Sequence, residues 1–344
     1  MVTHPVVITG LGLASSLGEG RAAHAGRVPV VDAARCAPYP LHPLADLPMA
    51  ESIPRREWRQ MEAFQRLGVY AAGLALDDAR ARGLVPDLDL VVAAGGGERD
   101  LALDEQILAA RPDERGRNAM IAAGLRPTLF LAQLPNLLAG SVSIVHGVGG
   151  SSRTLLGEEV AGAEALRIAH ARIAAGTSQA VLVGASFVAE RPDVVLLHAA
   201  GRALHRGPWQ CVAERTGAVF GSAGVFLLLE EEAAALARGA TPIARLTHIA
   251  TDQGAAEGRL VRLEALRRPG GAVVSAASGA VAGEAALTPG AEFAADALGH
   301  SLEAAALMAV ALAALGVASG APRVEVLGCG AFAGEFAAAL ERAA

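Results

Sequence analysis

Short apolar runs rich in β-branched residues, Val6–Gly10 and Leu90–Ala94, each run into glycine and predict buried strands. Between them, Met61–Arg82 returns apolar residues at helical spacing and predicts a helix. The same reading gives a strand at Val142–Val145, a helix at Ala161–Ala175, and a strand at Ala180–Val183 that ends at Gly184. Two acids, Glu158 and Glu159, stand in the stretch Thr154–Leu166 (TLLGEEVAGAEAL), between a strand and a helix that is otherwise small and apolar. Farther on come a helix at Glu230–Arg238, strands at Ile243–Ile249 and Gly271–Ala277, a helix at Ser301–Leu315 and a strand at Val324–Leu327. Alternation of this kind predicts an α/β fold, with residues 1–238 and 239–344 as two halves packed on one core. Ala22–Pro54, rich in proline and alanine, reads as an irregular surface excursion. The most apolar helix, Ala304–Val317, falls short of the about 20 residues a bilayer requires and reads as a core helix.

Charge removes several functions. All 29 residues counted as lysine or arginine are arginine, so a lysine Schiff base or lysine general base is excluded. A formal net charge of -6 without a basic tract argues against nonspecific nucleic-acid binding. Three widely spaced cysteines, Cys36, Cys211 and Cys329, fit neither a disulfide framework nor a metal site. The N-terminal MVTHPVVITGLG reads as a first strand rather than an export signal, so a cytoplasmic location and no transmembrane segment are expected. Gly10 and Gly12 invite a dinucleotide-binding reading, but the third glycine of that pattern would fall at Ser15. A tight structural turn is expected there, and no nicotinamide or other cofactor.

Glu158 and Glu159 complement the dipole of a helix start, a local role worth about 0.3–1 kcal/mol each. His300 precedes the Ser301 helix, either as a hydrogen-bonded structural residue or as an acid–base group. Cys329, in Gly328-Cys-Gly330, reads as a packing residue or as a nucleophile. Arg55, Arg56 and Arg59 form a basic segment interspersed with Glu57 and Glu62, which suits a solvated helix face or contact with an acidic partner.

Several of these stretches together resemble the β-ketoacyl carrier-protein synthases of the thiolase fold. The likeness runs from VVITGLGLASSLG through Arg55–Phe64 and Ala71–Ala79, is strongest over 136–176, and continues through VLVGAS, GAVFGSAGVFLLLE and Gly299-His300. It implies an αβαβα layered sandwich of two pseudo-duplicated halves, the second shortened. It also implies an active-site cysteine at a strand-to-helix turn, two histidines and a lysine. Matching the family's N-x-x-A-G to Asn136–Gly140 without gaps puts the cysteine position at Glu159. The first histidine falls at Ala277 and the lysine at Ala295, whereas the second histidine is retained as His300. Cys329 falls near the family's gate beside the acyl pocket, and Arg55, Arg56 and Arg59 near its carrier-protein-facing edge.

An acyl ester of glutamate would be a reactive mixed anhydride, so ordinary condensation is not expected of this chain. The resemblance implies instead a noncatalytic subunit, similar to a chain length factor, that forms a heterodimer with an active ketosynthase, meets acyl carrier protein and helps to set acyl chain length. Its interface is expected at about Val142–Val145. SRTLLGEEVAG is also similar to cysteine-less homologues associated with specialised or very-long-chain acyl synthesis. Two other readings stay open. One is a stand-alone carrier-thioester decarboxylase or hydrolase using Glu159 with His300, or Cys329; the other is a structural homodimer scaffold without an acyl tunnel.

Overall fold

The computed structural model describes residues 3–95, 97, 99–126, 129 and 133–343. The first half runs β1 (Val6–Ser15), α1 (Ala63–Asp78), β2 (Asp89–Ala93), α2 (Leu101–Ala110), α3 (Glu114–Gly124), α4 (Leu137–His146), β3 (Ser152–Leu155), α5 (Glu158–Ala174), β4 (Ala180–Phe187), α6 (Pro192–Ala200) and β5 (Ala223–Glu231). The second runs β6 (Ala244–Asp252), α7 (Arg259–Leu266), β7 (Ala272–Ser275), β8 (Glu292–Phe293), α8 (Ala305–Ala318), β9 (Arg323–Cys329) and β10 (Glu335–Glu341).

Ten strands follow the spatial order β8-β7-β9-β10-β6-β1-β5-β4-β2-β3. From the centre outward both halves repeat one pattern. In the first, β5 is antiparallel to β1, β4 antiparallel to β5, and β2 and β3 are added in parallel. In the second, β10 and β9 are antiparallel additions to β6, and β7 and β8 are parallel ones. The halves join where β1 pairs antiparallel with β6 at Val7–Arg245 and Ile8–Ala244. The second copy is the shorter, spanning 244–341 against 6–231.

Helices complete five layers. α1 and α4 cover the outer face of the first half through Val69, Leu76, Leu138 and Val142. α7 covers the second through Leu263, against Leu327 and Ala337. Between the half-sheets lie α5 and α8, which share one apolar core with strands of both halves. A helix caught between two sheets cannot show a one-sided apolar stripe. α8 accordingly reads AALMAVALAALGVA, and only Gly316 and Ala318 escape full burial. This is the duplicated αβαβα layering that the family resemblance implied. Among the described residues, no helix is long and apolar enough to cross a membrane.

Close approach of backbones explains several glycines. Gly10 and Gly12 sit inside β1, not in the expected turn. A Cβ on Gly12 would come 1.8 Å from the Ala71 carbonyl oxygen, so their role is to bring α1 against the strand. Gly184 does not end its strand either; β4 continues to Phe187, because Gly184 leaves room for the Phe226 ring. Gly162 in α5 does the same for the segment leading into α8, where a Cβ would lie 2.2 Å from the Glu303 carbonyl oxygen.

Two further expectations change. Val142–Val145 is helical, within α4, because Leu138, Ala139 and Val142 form one buried helical face and Gly147, at φ 76°, ends it. The strand before α5 is β3, which forms one edge of the sheet. Ala22–Pro54 is not wholly irregular, since Leu41–His42 pairs in parallel with Phe220–Gly221. Gly95 and Gly97 follow β2 as expected, and Gly96 lies outside the described residues.

Candidate functional site

Between β3 and α5 the chain turns through Gly157 at φ 138° and Glu158 at φ 53°. Only glycine occupies the first conformation freely, and a side chain in the second costs roughly 1–2 kcal/mol. The turn drives Glu159 into the interior, where it is 2% exposed. Its Oε1 lies 2.7 Å from His300 Nε2 and accepts the Ala331 N–H at 3.0 Å. Burial alone would raise this carboxyl. The His300 hydrogen bond and charge, joined by the Ala331 N–H, outweigh burial and hold it below the ordinary glutamate value. The acceptor is therefore a carboxylate, and His300 donates Nε2–H to it.

His300 is fixed from its own side. Its N–H donates to the Val219 carbonyl at 2.7 Å, and its carbonyl accepts the Gly221 N–H at 2.9 Å. Its ring, 1% exposed in its residue, stacks on Phe220 with centroids 6.3 Å apart. Both members of the pair are thus held by backbone on two different elements.

The loop that supplies the Ala331 N–H is clamped as well. Arg259, on α7, donates to the carbonyls of Gly330 and Gly334 and pairs with fully buried Glu335 at 2.8 Å. Below it, Glu284 Oε1 accepts the Cys329 N–H at 2.6 Å. Burial raises the Glu284 carboxyl to about 8, although the Cys329 N–H pulls the other way. Burial, reinforced by Glu284, pushes the Cys329 thiol far up, so Cys329 packs as a neutral group in the cluster of Leu263, Leu327 and Ala337. Treatment of the folded protein with iodoacetamide at pH 8 is expected to leave Cys329 unlabelled, and unfolding in urea to expose it. Peptide mass spectrometry checks this, and rapid labelling in the native state would contradict it.

Beside the turn opens a cavity of about 1050 Å³. Its walls are mostly hydrocarbon, including Leu156, Phe187, Val194, Leu197 and Leu302, with Glu158 and Glu303 among them. Burial and then the neighbouring Glu159 charge raise the Glu158 carboxyl. Close by, Phe332 is 54% exposed and its ring lies 5.9 Å from that of His198.

The remaining sequence candidates lie elsewhere. Ala277 and Ala295 are buried together with Val212 in a small apolar cluster flanked by Ala285 and Phe293. A methyl group at either position supplies neither a proton nor a charge. Arg55 and Arg56 stand on the short helix Arg55–Trp58 and Arg59 just beyond it, all three exposed. Arg56 lies 3.8 Å from Glu57. Glu303 and Glu284 were not singled out from the sequence as site residues. The available signal for Glu303 was a lone acid leading an all-apolar helix.

A model of the β-ketoacyl synthase N-terminal domain matches residues 47–235, more than half of the chain. The chain belongs to the β-ketoacyl synthase family. A 3-oxoacyl-[acyl-carrier-protein] synthase 2 from Vibrio harveyi is 27% identical over 264 residues, 70% of this chain and 61% of that protein. This synthase-family chain therefore spans under two thirds of the length of that relative. Among solved structures, the ishigamide ketosynthase/chain length factor superposes with a TM-score of 0.80 at 19% identity, covering 99% of this chain and 100% of that one. A type II polyketide-synthase acyl-carrier protein in complex with its ketosynthase bound to the hexaketide gives 0.79 at 20%, with the same coverage. A β-ketoacyl synthase from Burkholderia phymatum STM815 gives 0.75 at 18%, again with 99% and 100% coverage. At identities this low, the superpositions show a shared fold alone.

Proposed function

We propose that this chain is a non-condensing ketosynthase-like subunit that pairs with a cysteine-bearing β-ketoacyl synthase in the cytoplasm and helps to set acyl or polyketide chain length. The observation that carries the reading is the buried Glu159 carboxylate, hydrogen-bonded to His300 and to the Ala331 N–H. Because Glu159 is matched to the family's nucleophile position, the group there is a carboxylate whose Oε1 is held by His300 and the Ala331 N–H, not a thiolate free to accept an acyl chain. Ala277 and Ala295, at the positions matched to a histidine and the lysine, add no acid–base function.

A site without its nucleophile beside a large apolar cavity suits a protein that shapes a chain made elsewhere. The likeness to a solved ketosynthase/chain length factor supports a heterodimer, and the likeness to a carrier-protein complex supports delivery by acyl carrier protein. For the interface we propose edge strand β3 with the exposed Leu156, together with Ile144, the exposed side chain of the expected Val142–Val145 segment. Arg55, Arg56 and Arg59 are proposed for contact with the acidic carrier. Residues 1–238 and 239–344 are proposed as the two family halves, acting as one packed unit.

Co-expression with a cysteine-bearing synthase tests the reading. A heterodimer is expected by size exclusion, and Leu197→Trp, which adds bulk to the cavity wall, is expected to shorten the products. A strictly homodimeric chain with no effect on product length would count decisively against it.

The 2.7 Å Glu159–His300 contact favours one second reading, a stand-alone carrier-thioester decarboxylase. Turnover of malonyl carrier protein by the isolated chain, abolished in Glu159→Gln and His300→Ala without loss of folding, would establish that alternative. The buried neutral thiol of Cys329 gives no comparable support to a cysteine route.

A further inference from the structure

Glu303 is out of place in the wall it occupies. It lies on the short 3-10 turn Leu302–Ala304 that leads into α8, it is 5% exposed, and it faces the cavity among Phe187, Val194, Leu197 and Leu302. Its carboxyl has no hydrogen bond or ion pair to another described residue and only its own N–H as a donor. Space has been left for it: a Cβ on Gly95 would come 2.5 Å from its Oε1. The arginines of the two ion pairs at the same cavity are engaged elsewhere, Arg99 with Asp104 at 2.7 Å and Arg191 with Asp193 at 2.6 Å and with the Gly97 carbonyl at 3.0 Å. The Glu303 carboxyl is therefore available to an occupant.

We infer that Glu303 makes the cavity selective for an acyl chain bearing a hydroxyl or keto oxygen within its buried length, over a plain alkyl chain. The inference rests on the cavity holding an acyl chain, as proposed above. Burial, followed by the charges of Glu159 and Glu158, raises the Glu303 carboxyl to about 7, with Arg191 opposing them. Near neutral pH both protonation states are populated. The protonated form donates to a keto or hydroxyl oxygen, and the ionised form accepts from a hydroxyl. A methylene chain laid against the carboxyl satisfies neither form and strands a buried polar group, which costs about 1–3 kcal/mol. That penalty corresponds to roughly 5- to 150-fold in affinity.

The test uses the full chain, calorimetry, and a panel of dodecanoyl pantetheines that are saturated or carry one hydroxyl or keto group at successive positions. At least one oxygenated isomer is expected to bind about tenfold more tightly than the saturated compound. Glu303→Leu is expected to erase the preference and tighten the saturated compound. Glu303→Gln, which both donates and accepts, is expected to keep the hydroxyl preference. Gly95→Ala, which displaces the carboxyl without removing it, is expected to weaken that preference. Binding of the whole panel without discrimination, or a preference that survives Glu303→Leu, overturns the inference and leaves the acyl-cavity reading standing. Failure of every pantetheine to bind the wild-type chain overturns both.

Discussion

Glu159→Ala is expected to lower the free energy of unfolding by about 3 kcal/mol, and Glu159→Gln by about half as much. Alanine leaves the buried His300 Nε2–H and the partly buried Ala331 N–H without their acceptor. Glutamine keeps a carbonyl oxygen that can serve both donors. Its loss comes from the missing charge and from an amide placed near Gly330, where a Cβ would already lie 3.0 Å from Oε2. The sign of the pH dependence follows from the lowered Glu159 carboxyl. Its contribution is fully present above the unfolded value of about 4.3 and disappears as pH falls through the depressed folded value. Urea denaturation at pH 7 and at pH 3.5 measures both effects. Equal stability of wild type and Glu159→Ala at pH 7 would mean that the buried pair contributes nothing.

On the alkaline side, stability is expected to fall by about 2 kcal/mol between pH 6.5 and 8.5. Burial raises the Glu284 carboxyl to about 8 and Glu303 to about 7. In this window both are ionised in the unfolded chain, while the folded protein still retains protons. The folded state therefore binds more protons, and raising the pH favours unfolding at up to about 1.4 kcal/mol per unit for each group until its folded pKa is passed. Buried histidines limit the effect below this window. Burial lowers His42 to about 4 and also lowers His24, His146 and His170, so protonation of these groups in the unfolded chain erodes stability as pH drops below about 6.5. An optimum near pH 6 to 6.5 results. Glu284→Gln, in an otherwise unchanged chain, is expected to remove most of the alkaline slope; an unaltered slope in that variant would rule out Glu284 as its source.

Sequence pattern located the elements whose environment is uniform and lost those whose character is set by distant partners. α1, α5 and α8 were legible because helically spaced or long apolar runs need a common core, whereas only the first half of β1 was, since Gly10 and Gly12 read as a turn until α1 is packed against them. Val142–Val145 was not, since four apolar residues fit a strand or one turn of a buried helix equally well. Glu335–Glu341, EFAAALE, carries a helix-forming composition. It becomes a strand only because β9 and β6 flank it and Arg259 and Arg262 neutralise Glu335. At the site, Glu159 could be placed from the spacing after Asn136–Gly140. Its bond to His300, 141 residues away, belongs to the fold. Glu284 and Glu303 look like surface acids in the sequence, and only the packing around them makes them neutralisable.

The burial of α8 on both sides has a consequence for motion. From Ala305 to Leu315 its side chains are buried against strands of both halves, so local opening of this stretch is expected to be costly. Hydrogen exchange along Ala305–Leu315 is expected to approach the free energy of global unfolding, with faster exchange confined to the helix end at Gly316–Ala318. Glu303 stands two residues before its first turn, so an occupant that satisfies that carboxyl is expected to slow exchange along this helix. The cavity and the doubly covered central helix are in this way joined by a few residues of chain.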